Sequence, residues 1–362
     1  VATRRGLVAG LVVVVFVAVV TAWRLHADGA KESPPDSGIA GVATEHGRSF
    51  LREYLASDGR VVRIDEGGDV VSEGQAYGML IAAAIDDEPN FRLIWSWTQT
   101  NLLRSDGLLA WRWYEGGVTD ANSASDADLD AARALILAGD RFGAPDLTSH
   151  GRRLAAAVLD GETRPGGDGY VMVAGNWATA HPQQVNASYF SPRAEQELAR
   201  FDARWSTVST GNRGVIERLI QQAPLPPDWA ELNGDAISAV GHGSAPVQFG
   251  LDAARVPIRL AESCAHEDRE LAAAMRIPLS VQPSAVGIRH LDGSAAVEWK
   301  HPIALVARAA VLLAAGDGPG SARALDESAA LQARYPSYYG AAWVALGDLM
   351  LRSSALGECP RA

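Results

Sequence analysis

Apolar residues return every three or four positions through twelve separate windows of this chain, and that period restricts its fold more than any other feature. The windows are 43–55, 73–86, 90–103, 126–141, 146–159, 191–203, 206–222, 250–263, 266–275, 300–315, 320–334 and 338–352. Strand-like alternation is scarce. Three long polar stretches, 104–125, 160–190 and 223–249, separate some of the windows, and loops of that length in a compact domain are usually functional. Twelve helices in this order make six hairpins. The spacing therefore predicts an all-α fold, a six-hairpin α/α toroid. An open helical solenoid is the alternative, but no repeat period is visible.

In such a toroid successive helices run antiparallel, so every even-numbered helix begins at the same rim. The second window opens on "SEGQ" at 72–75, a capping-box pattern, with Glu73 in its first turn. The fourth opens on "SDAD" at 125–128, a similar pattern that carries Asp126 and Asp128. The sixth follows "NASYF", with Asn186 and Tyr189, and the eighth holds Asp252. "WKH" at 299–301 and "SYY" at 337–339 precede the tenth and twelfth. An acid in a first turn is common because the helix dipole favours it by several tenths of a kcal/mol. Acids on three helices of one parity, flanked by aromatics and long loops, point instead to a groove that cleaves carbohydrate.

Composition narrows the partners. The net charge is −11 and the 32 basic residues are scattered, which excludes the basic stripe that nucleic acid demands. Ten tryptophans outnumber seven phenylalanines, and "WSW" and "WRW" pair indoles whose flat faces suit either a core or a sugar ring. There is no metal-ligand spacing and no glycine-rich phosphate loop, so neither metal nor cofactor is expected.

Arg4 and Arg5 precede an apolar run from Gly6 to Trp23. Residues 1–26 are thus expected to be a membrane anchor with its N-terminus in the cytoplasm, or a signal peptide. Residues 27–41 read as a flexible linker, and 42–356 as the catalytic domain. Either reading of residues 1–26 exports the remainder. In that compartment the two cysteines, Cys264 and Cys359, are expected to pair in a disulfide. A monomer is expected.

At these residues the chain resembles glycoside hydrolase family 8, the bacterial endoglucanases and their relatives. "SEGQAYGM" at 72–79 resembles that family's acid motif, and "ASDADLDAARALILAGDRF" at 124–142 its signature helix, with Ala131 departing from the usual Ile or Met. "NASYFSP" at 186–192, "LDAARVPIR" at 251–259 and the tyrosine pair at 338–339 are similar to further family segments. The resemblance covers roughly residues 43 to 355 and implies the same toroid. It implies an inverting endo-β-1,4-glucanase that needs no cofactor. Glu73 is then the general acid, Asp252 the general base, and Asp126 the carboxylate that holds the sugar under attack. Tyr189 and Arg255 match residues near that sugar and the base. Trp113, Trp111 and Trp177 are candidate stacking platforms, and Tyr338 and Tyr339 candidate substrate contacts. A chitosanase or xylanase of the same family is an alternative. A glucan-binding component of exopolysaccharide assembly without activity is another, though all three carboxyls are in place.

One tension remains. A helix N-terminus lowers a carboxyl's pKa, whereas a general acid needs it raised. Asp126 is the expected opponent, a second carboxylate that keeps Glu73 protonated. Burial under bound glucan would push the same way. Gly74 is expected either to admit substrate or to serve a tight helix contact.

Overall fold

The computed structural model describes residues 36–167 and 169–359. The chain runs α1 (Asp36–Tyr54), β1 (Val70–Val71), α2 (Ser72–Ala84), α3 (Glu88–Asn101), β2 (Arg112–Tyr114), β3 (Gly117–Asp120), α4 (Ser125–Arg141) and α5 (Pro145–Gly161). Then follow β4 (Thr163–Gly166), β5 (Gly169–Met172), β6 (Gln183–Val185), α6 (Pro192–Leu198), α7 (Arg204–Gln222), β7 (Trp229–Asn233) and β8 (Ala236–Val240). The last third is helical: α8 (Arg255–Glu262), α9 (His266–Ala274), the single turn α10 (Arg276–Leu279), α11 (Pro302–Ala314), α12 (Gly318–Arg334) and α13 (Tyr338–Leu351). Residues 1–39 and 40–362 form two units. Of the first, only the opening turn of α1 is described.

Each of the twelve expected windows holds a helix. Helices α2, α4, α6, α8, α11 and α13 pack each against the next, and α13 packs back on α2, closing a ring. Every residue of α2 is buried except Glu73, as a helix in the middle of a core requires. The mean of the design is an inner ring of apolar helices whose N-termini share one rim. Among the described residues no helix is long and apolar enough to cross a membrane. The run from Gly6 to Trp23 lies outside them, as do residues 27–35 of the expected linker. Residues 36–41 of that linker belong to α1.

The three polar stretches expected as loops carry short antiparallel strands, which form the sheets β1–β2–β3, β4–β5 and β6–β7–β8, with β1 at Val70–Val71 outside those stretches. Their strands span two to five residues, too few for a period-two pattern to register. The β2–β3 hairpin turns on Glu115 and Gly116, both with positive φ (48° and 93°), the geometry that matches the strands' twist in a two-residue loop.

Both expected capping boxes are replaced by longer-range bonds. Gln75 does not reach back along its helix. It accepts from the Val61 N–H at 2.6 Å and donates to Gly59 O and Thr98 Oγ1. Ser125 donates to Val173 O at 2.6 Å, and Asp128 accepts from the Leu109 N–H at 2.9 Å. These bonds tie the loops to the helix starts. Helix α8 begins at Arg255, five residues after its expected start, because 250–254 fold as tight turns with Ala254 N–H on Gly250 O and Arg255 N–H on Asp252 O.

Candidate active site

Arg255 is 1% exposed and lies at the centre of three carboxyls. Its Nη1 donates to Glu73 Oε1 at 2.6 Å and to Asp126 Oδ2 at 2.7 Å. Its Nη2 donates to Asp252 Oδ1 at 3.2 Å. Glu73 comes from the first turn of α2, Asp126 from that of α4, and Asp252 from the turn ahead of α8 rather than from the helix itself. Exposure separates their roles. Asp126 is 5% exposed, Glu73 22% and Asp252 36%. Water therefore reaches Asp252 most easily, while Asp126 sits in the floor.

Two further side chains fix the pair. Tyr77, one helical turn beyond Glu73, donates to Glu73 Oε1 at 2.7 Å. Asn186 donates through Nδ2 to Asp252 Oδ2 at 3.0 Å. Its amide oxygen accepts from both the N–H and the hydroxyl of Ser188, so that network leaves only the NH2 to face the carboxylate.

Although 22% of the Glu73 side chain is exposed, its carboxyl is packed against Tyr77 and Arg255, and this loss of solvent pushes it up to about 7. The Arg255 charge opposes this most, and Asp126 adds a smaller upward push. The expectation that Asp126 chiefly keeps Glu73 protonated is thereby corrected: loss of solvent comes first. Asp126 is itself raised by burial against the pull of Arg255. A carboxyl raised this far above the ordinary glutamate value retains a proton well above acidic pH and can donate it.

Beside this cluster opens a cavity of about 260 Å³. Trp111, Trp177, Tyr189, Trp229 and His242 line it, with Asp120 and Asn122 at one side. Trp111 is anchored through its backbone, its carbonyl accepting from the Ser72 N–H at 2.9 Å. Trp177 donates from Nε1 to Ser123 O at 3.1 Å. Tyr189 links cavity and carboxyls, with the Arg255 guanidinium 5.2 Å above its ring and Trp229 edge-on at 6.0 Å. Flat faces of this kind bind the apolar CH face of a sugar ring.

Other expected contacts lie elsewhere. Trp113 packs edge-on against Trp97 at 5.3 Å under Arg60, outside that lining. Tyr338 is fully buried between Phe50 and Tyr54. A Cβ on Gly74 would collide with its hydroxyl, so the glycine serves helix packing. Tyr339 is near the cluster, where burial holds its phenol well above the ordinary range. Cys264 and Cys359 form a disulfide with Cα atoms 5.3 Å apart. Among the described residues no group of three or more His, Cys, Asp or Glu could hold a metal. Sequence reasoning missed Tyr77, Trp229 and His242. Tyr77 stands at the i+4 position from Glu73, a spacing that could have found it; Trp229 and His242 gave no local signal.

A partly protonated carboxyl and a solvent-facing carboxylate, set beside an aromatic-lined cavity, are the parts of a glycoside hydrolase. Residues 37–276 match the glycosyl hydrolases family 8, and the chain belongs to that family. It is 36% identical over 244 residues to a probable endoglucanase of Novacetimonas hansenii, covering 65% of this chain and 70% of the relative. It is 33% identical over 201 residues to the endoglucanase of Escherichia coli (strain K12), where the match spans 51% of this chain and 54% of the relative. The endo-beta-1,4-glucanase CMCax from Acetobacter xylinum superposes with a TM-score of 0.71 at 29% identity, over 85% of this chain and 97% of that one. A beta-1,3-1,4-glucanase from Paenibacillus sp. X4 shares the fold, with a TM-score of 0.78 at 18% identity.

Proposed function

We propose that this protein is an inverting endo-β-1,4-glucanase that hydrolyses cellulose or a related β-glucan outside the cytoplasmic membrane. The observation that carries this reading is the grouping of Glu73, Asp126 and Asp252 on one buried guanidinium beside an aromatic-lined cavity. Glu73 donates its proton to the leaving glycosidic oxygen. Asp252 takes a proton from the water that attacks the opposite face of the sugar. Asp126 holds a hydroxyl of that sugar. Because Glu73 and Asp252 rest on the two terminal nitrogens of Arg255, their nearest oxygens stand at most about 8 Å apart. That distance is compatible with the ~6.5–9.5 Å an inverting pair needs to admit water. Trp111, Trp177 and Trp229 seat successive rings, which favours attack within a long chain. Residues 6–23 would tether the enzyme or direct its export, and the Cys264–Cys359 disulfide suits an oxidising compartment.

The test is reducing-sugar release from carboxymethylcellulose, xylan and chitosan, with the anomer of the first product followed by NMR. Early α-anomer and a rapid fall in viscosity on carboxymethylcellulose are expected. Faster release from xylan or chitosan would reassign the substrate, and initial β-anomer would overturn inversion.

A further inference from the structure

Asp228, immediately ahead of β7, takes no part in the site as described above. Its Oδ1 accepts from the Gly250 N–H at 2.8 Å and from the Ala253 N–H at 2.9 Å. Its Oδ2 accepts from Gln248 Nε2 at 3.1 Å. Gly250 and Ala253 bracket Leu251 and Asp252, so one carboxyl grips the turn that carries Asp252 from both sides. The approach is close enough that a Cβ on Gly250 would strike Asp228 Oδ2. Burial, and next the charge of Asp252, push the Asp228 carboxyl up to about 6, while the N–H groups of the turn pull the other way. The two carboxyls therefore feel each other directly.

We infer that Asp228 is a positioning residue for the general base: it fixes the turn that aims Asp252 at the attacking water. This rests on the reading of Asp252 as the base. The other charged or titratable groups facing Asp252 are Arg255, Glu73, Asp126, Tyr189 and Tyr339. Arg255 is shared among all three site carboxyls. Asp228 instead bonds the turn of Asp252, and Asp252 is the first charge to act on it.

Asp228→Asn removes the charge and keeps an oxygen for both N–H groups. Asp228→Ala removes charge and grip together. Both are compared with wild type by kcat and KM against pH on one soluble glucan, with thermal unfolding in parallel. For Asp228→Asn, which keeps the oxygen that both N–H groups need, the expected result is a wild-type-like fold, with kcat and KM each within about twofold of wild type. Asp228→Ala should lose about a further tenfold in kcat through misplacement of the base. A purely structural residue would lower the unfolding temperature and leave kcat and KM of the folded protein unchanged, and Asn would not rescue the rate selectively. An Asp228→Ala protein no slower than Asp228→Asn overturns the inference, as does an Asp228→Ala protein whose loss lies in KM and not in kcat. A near-isosteric Asp228→Asn protein that fails to fold would place Asp228 in the fold and not in the reaction, and overturns it too. If wild type cleaves no glucan, the proposed function fails instead. The grip is then read from hydrogen exchange of the Gly250 and Ala253 amides, whose protection must fall in Asp228→Ala and be kept in Asp228→Asn.

Discussion

Replacing Asp126 by Asn removes one of two carboxylates that share Arg255 Nη1 and leaves the shape almost unchanged. Glu73 Oε1 and Asp126 Oδ2 each lie within 2.7 Å of that nitrogen. They are thus no more than about 5 Å apart, where an effective dielectric of ~20–40 gives a repulsion of roughly 2–3 kcal/mol. That is roughly one to two pH units on Glu73. The direction follows from the charges. Without Asp126 the ionised form of Glu73 loses a repulsive neighbour and keeps the attraction of Arg255, so its carboxyl falls from about 7. It should not return to an ordinary glutamate value, because burial is the leading cause of the rise and the substitution does not expose it. The assay is kcat/KM on a soluble glucan across roughly pH 4 to 9, whose alkaline limb reports the acid in the free enzyme. Asp126→Asn should move that limb to lower pH by about one unit or slightly more, with a lower plateau from lost sugar binding. A lower plateau with an unmoved limb, or a limb displaced upward, would refute the claim that Asp126 helps keep Glu73 protonated.

Three further outcomes follow from the disulfide, a buried carboxyl and a tight helix contact. Cys359→Ala opens a link between residues 95 apart and should cost about 2–4 kcal/mol in denaturant unfolding under oxidising conditions, with no loss when both proteins are reduced. Glu195 is buried against Asn212, its carboxyl pushed up by burial to about 7. Its stabilising share is therefore full below an ordinary glutamate pKa and lost as pH rises toward 7. Glu195→Gln should accordingly raise the urea midpoint at pH 8, by the equivalent of about 1–2 kcal/mol, and leave it nearly unchanged near pH 4.5. Gly74→Ala drives a methyl into the Tyr338 hydroxyl and should cost about 1–3 kcal/mol. Adding Tyr338→Phe should recover much of that in a double-mutant cycle by calorimetry, since the hydroxyl has no hydrogen-bond partner among the described residues.

The toroid was legible because its inner helices must be apolar nearly all round. Helix α2 buries twelve of its thirteen residues, and α11 and α13 are similarly covered. Such segments write long apolar runs into the chain, and outer helices such as α5, with one buried face, supply the period between them. Parity then placed Glu73 and Asp126 at one rim without any knowledge of side chains. Asp252 reached the same rim for a different reason. Residues 250–254 read as helical from their sequence but form turns held by backbone bonds, and only their place ahead of α8 matters. The expected capping boxes failed because Gln75 and Ser125 found partners 14 to 48 positions away. Local rules cannot weigh such competitors.

The acid's protonation shows the same limit more sharply. From sequence, the visible influences on Glu73 are the helix N-terminus and the nearby acidic motif, so Asp126 looks like the one group able to oppose the dipole. The structure adds two larger influences that no local pattern contains. One is burial, which depends on the whole ring closing around α2. The other is Arg255, 182 positions away, which pulls Glu73 toward ionisation more strongly than Asp126 pushes it back. Their opposition, and not the dipole, leaves the carboxyl near 7. Tyr77 is the exception among the unseen partners. It stands one helical turn from Glu73 and donates to it at 2.7 Å, so i,i+4 spacing alone was sufficient to nominate it.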